Sequence, residues 1–126
     1  MNTFLKNILI RSPNSEKRGD DIVVNGMTDV GLVRDHNEDS YIVIHDDSRL
    51  GSGDTVMAVA DGMGGHAAGE IASSITISDI KSRFYTEEHH NLDTREFLGF
   101  LGRTLETANR SVFEAGQNNS RRGMGT

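Results

Sequence analysis

The sequence contains no cysteine, which excludes disulfides, thiolate zinc sites and thiol catalysis and is compatible with a reducing compartment. It also lacks any apolar segment approaching the roughly 20 residues that a membrane-spanning helix needs. Basic residues are in deficit, with 13 Lys plus Arg against 19 Asp plus Glu. Nucleic-acid-binding domains normally present a basic face, so this balance argues against a nucleic-acid partner.

What the sequence does contain indicates one globular domain, because 35% of its 126 residues are hydrophobic and 25% are charged. Residues 1–10 resemble the start of a signal peptide, but Lys6 and Asn7 interrupt the apolar run and no small-residue cleavage site follows. We therefore expect a cytoplasmic protein with no membrane partner. Residues 1–21 are predicted to be a flexible lead, and the folded domain is predicted to span residues 22–126.

Short apolar runs alternate with turn residues in the first half of that domain, which predicts strands. The run IVVNGMTDVG begins with a strand, DSYIVIHD forms a second and DTVMAVAD a third. The second and third are apolar on both faces, which predicts a sheet that is covered on both sides. Residues 46–54 between them are typical of a hairpin loop, since Leu50 and Met57 stand where a calcium loop requires oxygen ligands.

Helical periodicity dominates the second half. Apolar residues at helical spacing, beginning with Ala68 and Ile71, predict a helix from residue 66 to about 83. A second helix is predicted to begin after Asp93, which forms a capping-box pattern with Glu96, and to end near Gly116. The fold class expected from the residues alone is therefore α/β.

Acidic residues lie at the ends of two predicted strands. Glu38 and Asp39 stand at the start of the second strand, and Asp61 ends the third. If these strands pair through the loop at 46–54, the three acids converge at one edge of the sheet. Carboxylates brought together repel one another unless a cation lies among them, and hard oxygen donors select Mg²⁺ or Mn²⁺.

Two neighbouring residues extend this pattern to phosphate chemistry. Gly62 has no Cβ, so the backbone can approach closely and its carbonyl can serve as another oxygen ligand. Arg34, four residues before Glu38, offers a planar fork of donors to a phosphate. Because neighbouring strand residues face opposite sides, Glu38 and Asp39 cannot both be direct ligands from a regular strand. The pattern predicts a metal-assisted phosphate site.

The segments GLVRDHNEDSYIV and VMAVADGMGGHAAGEIAS, in this order, resemble the opening motifs of the PP2C family of metal-dependent serine/threonine phosphatases in their bacterial form. The resemblance implies a four-layer αββα sandwich, with two central antiparallel sheets between layers of helices. It also implies two Mn²⁺ or Mg²⁺ ions at one end of the sandwich. The implied substrates are phosphoserine and phosphothreonine proteins, so that the enzyme would counteract a serine/threonine kinase.

The resemblance also implies a role for each candidate residue. Asp61 matches the carboxylate that bridges both metals, and Glu38 and the Gly62 carbonyl match ligands of one of them. Asp39 matches an acid that acts mostly through metal-bound water, so that Asp61 and Asp39 would form the catalytic pair. Arg34 matches the arginine that binds substrate phosphate.

Two departures from the family pattern limit this assignment. Met63 stands where eukaryotic members place a histidine as general acid, and His66, three residues later, is given no catalytic role. The resemblance spans residues 24–126, about half of the family domain, and the later aspartate ligands have no counterpart. We therefore expect a truncated sandwich, the N-terminal half of a phosphatase domain, which would be inactive by itself because the two-metal clamp is incomplete.

Two other functions fit parts of the sequence. Residues 62–67 (GMGGHA) match the G-x-G-x-x-A form of the dinucleotide-binding fingerprint, with Asp79 at about the expected distance. Against that alternative, Asp61 would face the pyrophosphate with a like charge, and Asp79 falls inside the helical pattern. The second alternative is a non-catalytic, phosphatase-like interaction domain.

Overall fold

The computed structural model describes residues 8–10, 23–45, 55–64, 67–86, 92–117, 121 and 123–126. The elements follow one another in the chain order β1 (Ile8–Ile10), β2 (Val23–Val24), β3 (Asp39–His45), β4 (Thr55–Asp61), α1 (Ala67–Thr86) and α2 (Thr94–Ala115). The α/β class predicted from the sequence is thus confirmed. None of the helices in these ranges is both long and apolar enough to cross a membrane.

The first two strands form a small antiparallel pair, with an irregularity between Leu9 and Ile10. Strand β1 lies within the segment that the sequence predicts to be a flexible lead. A strand forms there because a run of Ile, Leu and Ile suits an extended backbone. The remainder of residues 1–21 lies outside the described residues, so the domain limits 1–21 and 22–126 stay predictions.

Strands β3 and β4 pair antiparallel in unbroken register, from Asp39 opposite Asp61 to His45 opposite Thr55. The predicted pairing of the two strands is confirmed, although the loop at 46–54 lies outside the described residues. Alternate residues of a strand face opposite sides, so Ile42 and Ile44 share one face, and Asp39 shares the other with the odd-numbered positions of both strands.

The core lies between one face of this pair and the two helices. Ile44, Ile80, Phe84 and Phe100 form a cluster of buried side chains. The rings of Phe84 and Phe100 meet edge to face, with centroids 5.0 Å apart. A hydroxyl pair, Ser40 Oγ and Ser73 Oγ at 3.0 Å, joins β3 to α1 beside this cluster. The even-numbered face of β3 is therefore the face that the helices cover.

The opposite face of the β3–β4 pair is largely open among the described residues. Tyr41, Met57 and Val59 on this face are 36%, 50% and 52% exposed. The sequence predicts a sheet covered on both sides, and here the described helices cover only one. Apolar residues on both faces of a strand show what each face is able to bury, but they do not identify the element that packs there.

Both helices follow their predicted limits closely. Helix α1 begins at Ala67, one residue after the predicted start, and ends at Thr86, within a turn of the predicted end. Helix α2 begins after Asp93, whose carboxylate accepts from the Glu96 amide while its own amide donates to the Glu96 carboxylate. This reciprocal capping box is the one predicted from the sequence. The helix ends at Ala115, and Gly116 is its C-cap.

Candidate active site

Asp39 and Asp61 lie directly opposite each other at one end of the β3–β4 pair. Residues opposed in this way have Cβ atoms about 4.5 to 5.5 Å apart on the same face of the sheet. That face is the one turned away from the helices. The pairing thus confirms that these two acids meet at one sheet edge, where opposed like charges disfavour the pair unless a cation offsets them.

Glu38 lies at the same end of the β3–β4 pair, but on the side that faces α1. It precedes β3, and its backbone carbonyl accepts a hydrogen bond from the Gly62 amide at 3.1 Å. Its carboxylate lies against the first turns of α1, because a Cβ built on Gly69 would be only 2.6 Å from Glu38 Oε2. Glu38 and Asp39 therefore project to opposite sides, as the alternation of strand residues predicts.

Gly62 and Gly69 allow the backbone of the turn after β4 to touch α1. A Cβ on Gly62 would collide with the carbonyl oxygen of Gly69 and lie 2.5 Å from that of Glu38. Sequence reasoning explains Gly62 by the approach of a ligand to its carbonyl. The structure supplies a packing reason for the same glycine, since no side chain fits between the two carbonyl oxygens.

Arg34 lies on the exposed loop that leads from β2 into β3. It borders a small cavity of about 10 Å³, together with Asp29, Val30, His36, Asn37, Glu38 and Asp39. A cavity of this size holds about one water molecule. The structure thus places the predicted phosphate-binding residue beside two of the predicted acids, Glu38 and Asp39.

The candidate residues offer the oxygen donors that a hard divalent cation prefers, but they are not arranged as a complete metal site. Carboxylates and a backbone carbonyl are the oxygen ligands that Mg²⁺ and Mn²⁺ prefer. However, no group of three or more His, Cys, Asp or Glu residues within the described ranges is gathered closely enough to hold a metal. The chain offers a pair of opposed acids, Asp39 and Asp61, with Glu38 on the helix side, so the metal roles of these residues stay predictions.

Two further hydrogen bonds near the acids were missed by sequence reasoning. The Asn37 side-chain amide donates to Thr28 Oγ1 at 2.7 Å, and Asn37 Oδ1 accepts from the Asp39 amide at 3.0 Å. The second bond is an Asx-type contact, in which an Asn side chain accepts from the backbone amide two residues later. The sequence could have predicted this bond, because Asn37 stands two residues before Asp39. The Thr28 contact joins residues that are not neighbours in the sequence and leaves no such signal.

The dinucleotide-binding alternative finds no support in this arrangement. Strand β4 runs antiparallel to β3, and within the described residues α1 leads into α2 rather than into a parallel strand. A dinucleotide-binding βαβ unit requires that parallel strand. Asp79 lies in the middle of α1 instead of ending a strand. Gly65 and His66 of the fingerprint lie outside the described residues.

Comparison with known proteins relates the chain to phosphatases, although no family model matches it. A protein of Streptococcus pyogenes named as a phosphatase 2C-type protein is 34% identical over 99 residues, which are 79% of this chain and 38% of that protein. Protein phosphatase PhpP of Streptococcus pneumoniae is 38% identical over 101 residues, with the same two coverages, 79% and 38%.

A solved structure shows the same relationship in three dimensions. The serine/threonine phosphatase of S. agalactiae matches with a TM-score of 0.66 and 33% identity, over 78% of this chain and 38% of that one. The resemblance to the PP2C family is thereby confirmed in both sequence and fold. The chain spans 38% of the length of the curated relatives it matches.

Proposed function

We propose that this chain is part of a metal-dependent protein serine/threonine phosphatase, which hydrolyses phosphoserine and phosphothreonine in proteins. The observation that carries the proposal is the register of β3 and β4, which sets Asp39 opposite Asp61 at a sheet edge. Carboxylate oxygens that lie close together are the donors that a hard divalent cation takes, so the position of the two acids favours a cation-binding role. The names of the bacterial relatives support the same activity.

In this proposal the acids hold Mn²⁺ or Mg²⁺. Asp61, Glu38 and the Gly62 carbonyl would hold the ions directly, and Asp39 would act through bound water. The ions would supply an activated water and would offset the charge of the phosphate. The Glu38 carboxylate lies beside Gly69, which also packs against the backbone of Gly62, another residue proposed to hold the ions.

Arg34 is proposed to hold the phosphate of the substrate. Arg34 is exposed and borders the same cavity as Glu38 and Asp39. A guanidinium fork makes paired, charge-assisted hydrogen bonds to phosphate oxygens. Arg34 would therefore orient the phosphoryl group toward the acidic edge, where positioning and charge stabilisation provide most of the catalysis of phosphoryl transfer.

We further propose that the chain is inactive by itself. It spans 38% of the matched relatives, and its described acids do not form a complete ligand set. Two-metal hydrolysis needs both the attacking and the leaving oxygen to be stabilised, which requires a full clamp. The complete enzyme would act on phosphoproteins in the cytoplasm and oppose a serine/threonine kinase.

A chimera tests the proposal. The matched part of S. pneumoniae PhpP is replaced by this chain, and hydrolysis of a phosphothreonine peptide is measured with and without Mn²⁺. Controls are this chain alone and the remaining part of PhpP alone. We expect Mn²⁺-dependent hydrolysis by the chimera and none above buffer by either part.

Two results would contradict the proposal. Metal-dependent turnover by the isolated chain would show that its ligand set is complete. A chimera that folds with the expected circular dichroism but hydrolyses nothing would favour the non-catalytic interaction domain.

A further inference from the structure

We propose that Asn37 is a positioning residue that fixes the loop carrying Arg34 to the acidic edge of the sheet. This inference rests on the proposed phosphatase function. Asn37 uses both ends of its side-chain amide, since Nδ2 donates to Thr28 Oγ1 at 2.7 Å and Oδ1 accepts from the Asp39 amide at 3.0 Å. One side chain thus ties the beginning of the loop to the first residue of β3.

The loop between these two points has little packing of its own. Leu32 and Val33 at its tip are almost fully exposed, and Arg34 is exposed as well. A turn at the tip is closed by the Gly31 amide, which donates to Asp29 Oδ1 at 2.7 Å. Segments with few buried contacts open easily unless hydrogen bonds hold them. The position of Arg34 therefore depends on the bonds at the base of the loop.

The Thr28–Asn37 bond closes that base from side to side. Residues 29–36 lie between its two ends, so this bond spans the whole segment that carries Arg34. A second contact, from the Tyr41 hydroxyl to the Gly26 carbonyl, anchors the chain just before the loop but does not close it. Asn37 also borders the small cavity that Arg34 shares with Glu38 and Asp39. Its two bonds therefore couple the phosphate contact to the acids.

The first experiment measures loop order directly in the 126-residue chain, by hydrogen exchange and mass spectrometry. Thr28→Val keeps the shape of Thr28 but removes the hydroxyl, and Asn37→Ala removes both bonds. We expect faster exchange across residues 29–39 in both variants. Thr28→Ser keeps the hydroxyl, so its hydrogen-exchange rate should equal that of the parent chain.

A control removes a threonine hydroxyl that lies far from the loop. Thr86 Oγ1 donates to the Ser82 carbonyl in the last turn of α1, at the end of the helix remote from the site. A 20-residue helix is about 30 Å long. Thr86→Val should therefore leave exchange at residues 29–39 unchanged. Unchanged exchange in both Thr28→Val and Asn37→Ala would overturn the proposal.

The second experiment uses the active chimera and separates positioning from metal binding. Thr28→Val should raise the KM for a phosphopeptide and weaken inhibition by inorganic phosphate, each about fivefold, which is the usual effect of one lost hydrogen bond. The Mn²⁺ concentration for half activity should not change. Thr28→Ser should recover KM to within about twofold of the parent value.

The two experiments fail in different ways. If the loop loosens in the variants of the 126-residue chain but the chimera has no activity, the positioning role of Asn37 is sustained and the phosphatase function is refuted. An active chimera in which Thr28→Val shifts the Mn²⁺ dependence but not KM would overturn the assignment, because the bond would then support the acids rather than Arg34.

Discussion

The two faces of the β3–β4 pair differ in how far their side chains are buried and in where the candidate acids lie. On the helix-covered face Ile44 is buried against Phe84 and Phe100. On the other face Met57 and Val59 are half exposed, and the opposed acids stand at the end of this same face. The comparison shows that the described chain builds its stability on one side of the pair and its candidate chemistry at the edge of the other.

The largest expected effect on stability is found by comparing a side chain that packs on the helix-covered face with one on the open face. Phe84→Ala should lower the free energy of unfolding by about 3 to 5 kcal/mol, because it removes a buried ring and leaves a cavity. Val59→Ala on the open face should cost less than about 1 kcal/mol, since little burial is lost. Urea unfolding followed by circular dichroism measures both. Equal losses would show that the open face is packed in solution.

A smaller effect is expected at the glycines where the site meets α1. Gly69→Ala should destabilise the chain by about 1 to 3 kcal/mol, because the new Cβ would press on the Glu38 carboxylate. Gly102→Ala on α2 is the matched control, since nothing lies within 4 Å of its added Cβ. That change should stabilise the chain by about 0.5 to 1 kcal/mol through helix propensity. Thermal unfolding of the two variants compares the sites, and stabilisation by both would refute the close packing at Gly69.

The smallest effect concerns the hydroxyl pair between β3 and α1. Ser73 is fully buried and its Oγ lies 3.0 Å from Ser40 Oγ. Ser73→Ala should cost about 1 to 2 kcal/mol, because Ser40 loses its partner. The double variant Ser40→Ala, Ser73→Ala should cost less than the sum of the single changes, as expected for groups in contact. Additive losses in a urea titration would show that the two hydroxyls do not interact.

The open apolar face also has a consequence for solution behaviour. Exposed apolar patches favour self-association, so we expect the isolated chain to form oligomers as its concentration rises. Met57→Ser with Val59→Ser should increase the monomer fraction in size-exclusion chromatography. Leu98→Ser on α2, where Leu98 is also exposed, is the control and should change that fraction less. A parent chain that stays monomeric at every concentration tested would contradict this expectation.

Local sequence signals predicted most of the fold because each element depends on short-range patterns. The capping box of Asp93 and Glu96 fixed the start of α2. Apolar runs bounded by turn residues located β3 and β4, and the short loop between them predicted the antiparallel pairing. Coverage of the open face was not predictable, because it depends on which element packs against Met57 and Val59.

The sequence predicted that the candidate residues would lie near one another, but it did not predict their detailed arrangement. In the structure Asp39 lies opposite Asp61, and Arg34 borders the same small cavity as Asp39. The side of the edge taken by the Glu38 carboxylate depends on its contact with Gly69, which is remote in sequence. The bond between Thr28 and Asn37 was missed for the same reason.

A Mn²⁺ titration of the chimera tests the central claim most directly, with Asp61→Asn and Arg34→Ala measured beside the parent on a phosphopeptide. Asp61→Asn removes the charge that would bridge the ions, so it should require more Mn²⁺ and recover only part of the rate. Arg34→Ala should lower kcat/KM about thirtyfold, equivalent to about 2 kcal/mol, with the Mn²⁺ concentration for half activity unchanged. If Arg34→Ala shifts the metal dependence while Asp61→Asn leaves it alone, the assigned roles are wrong.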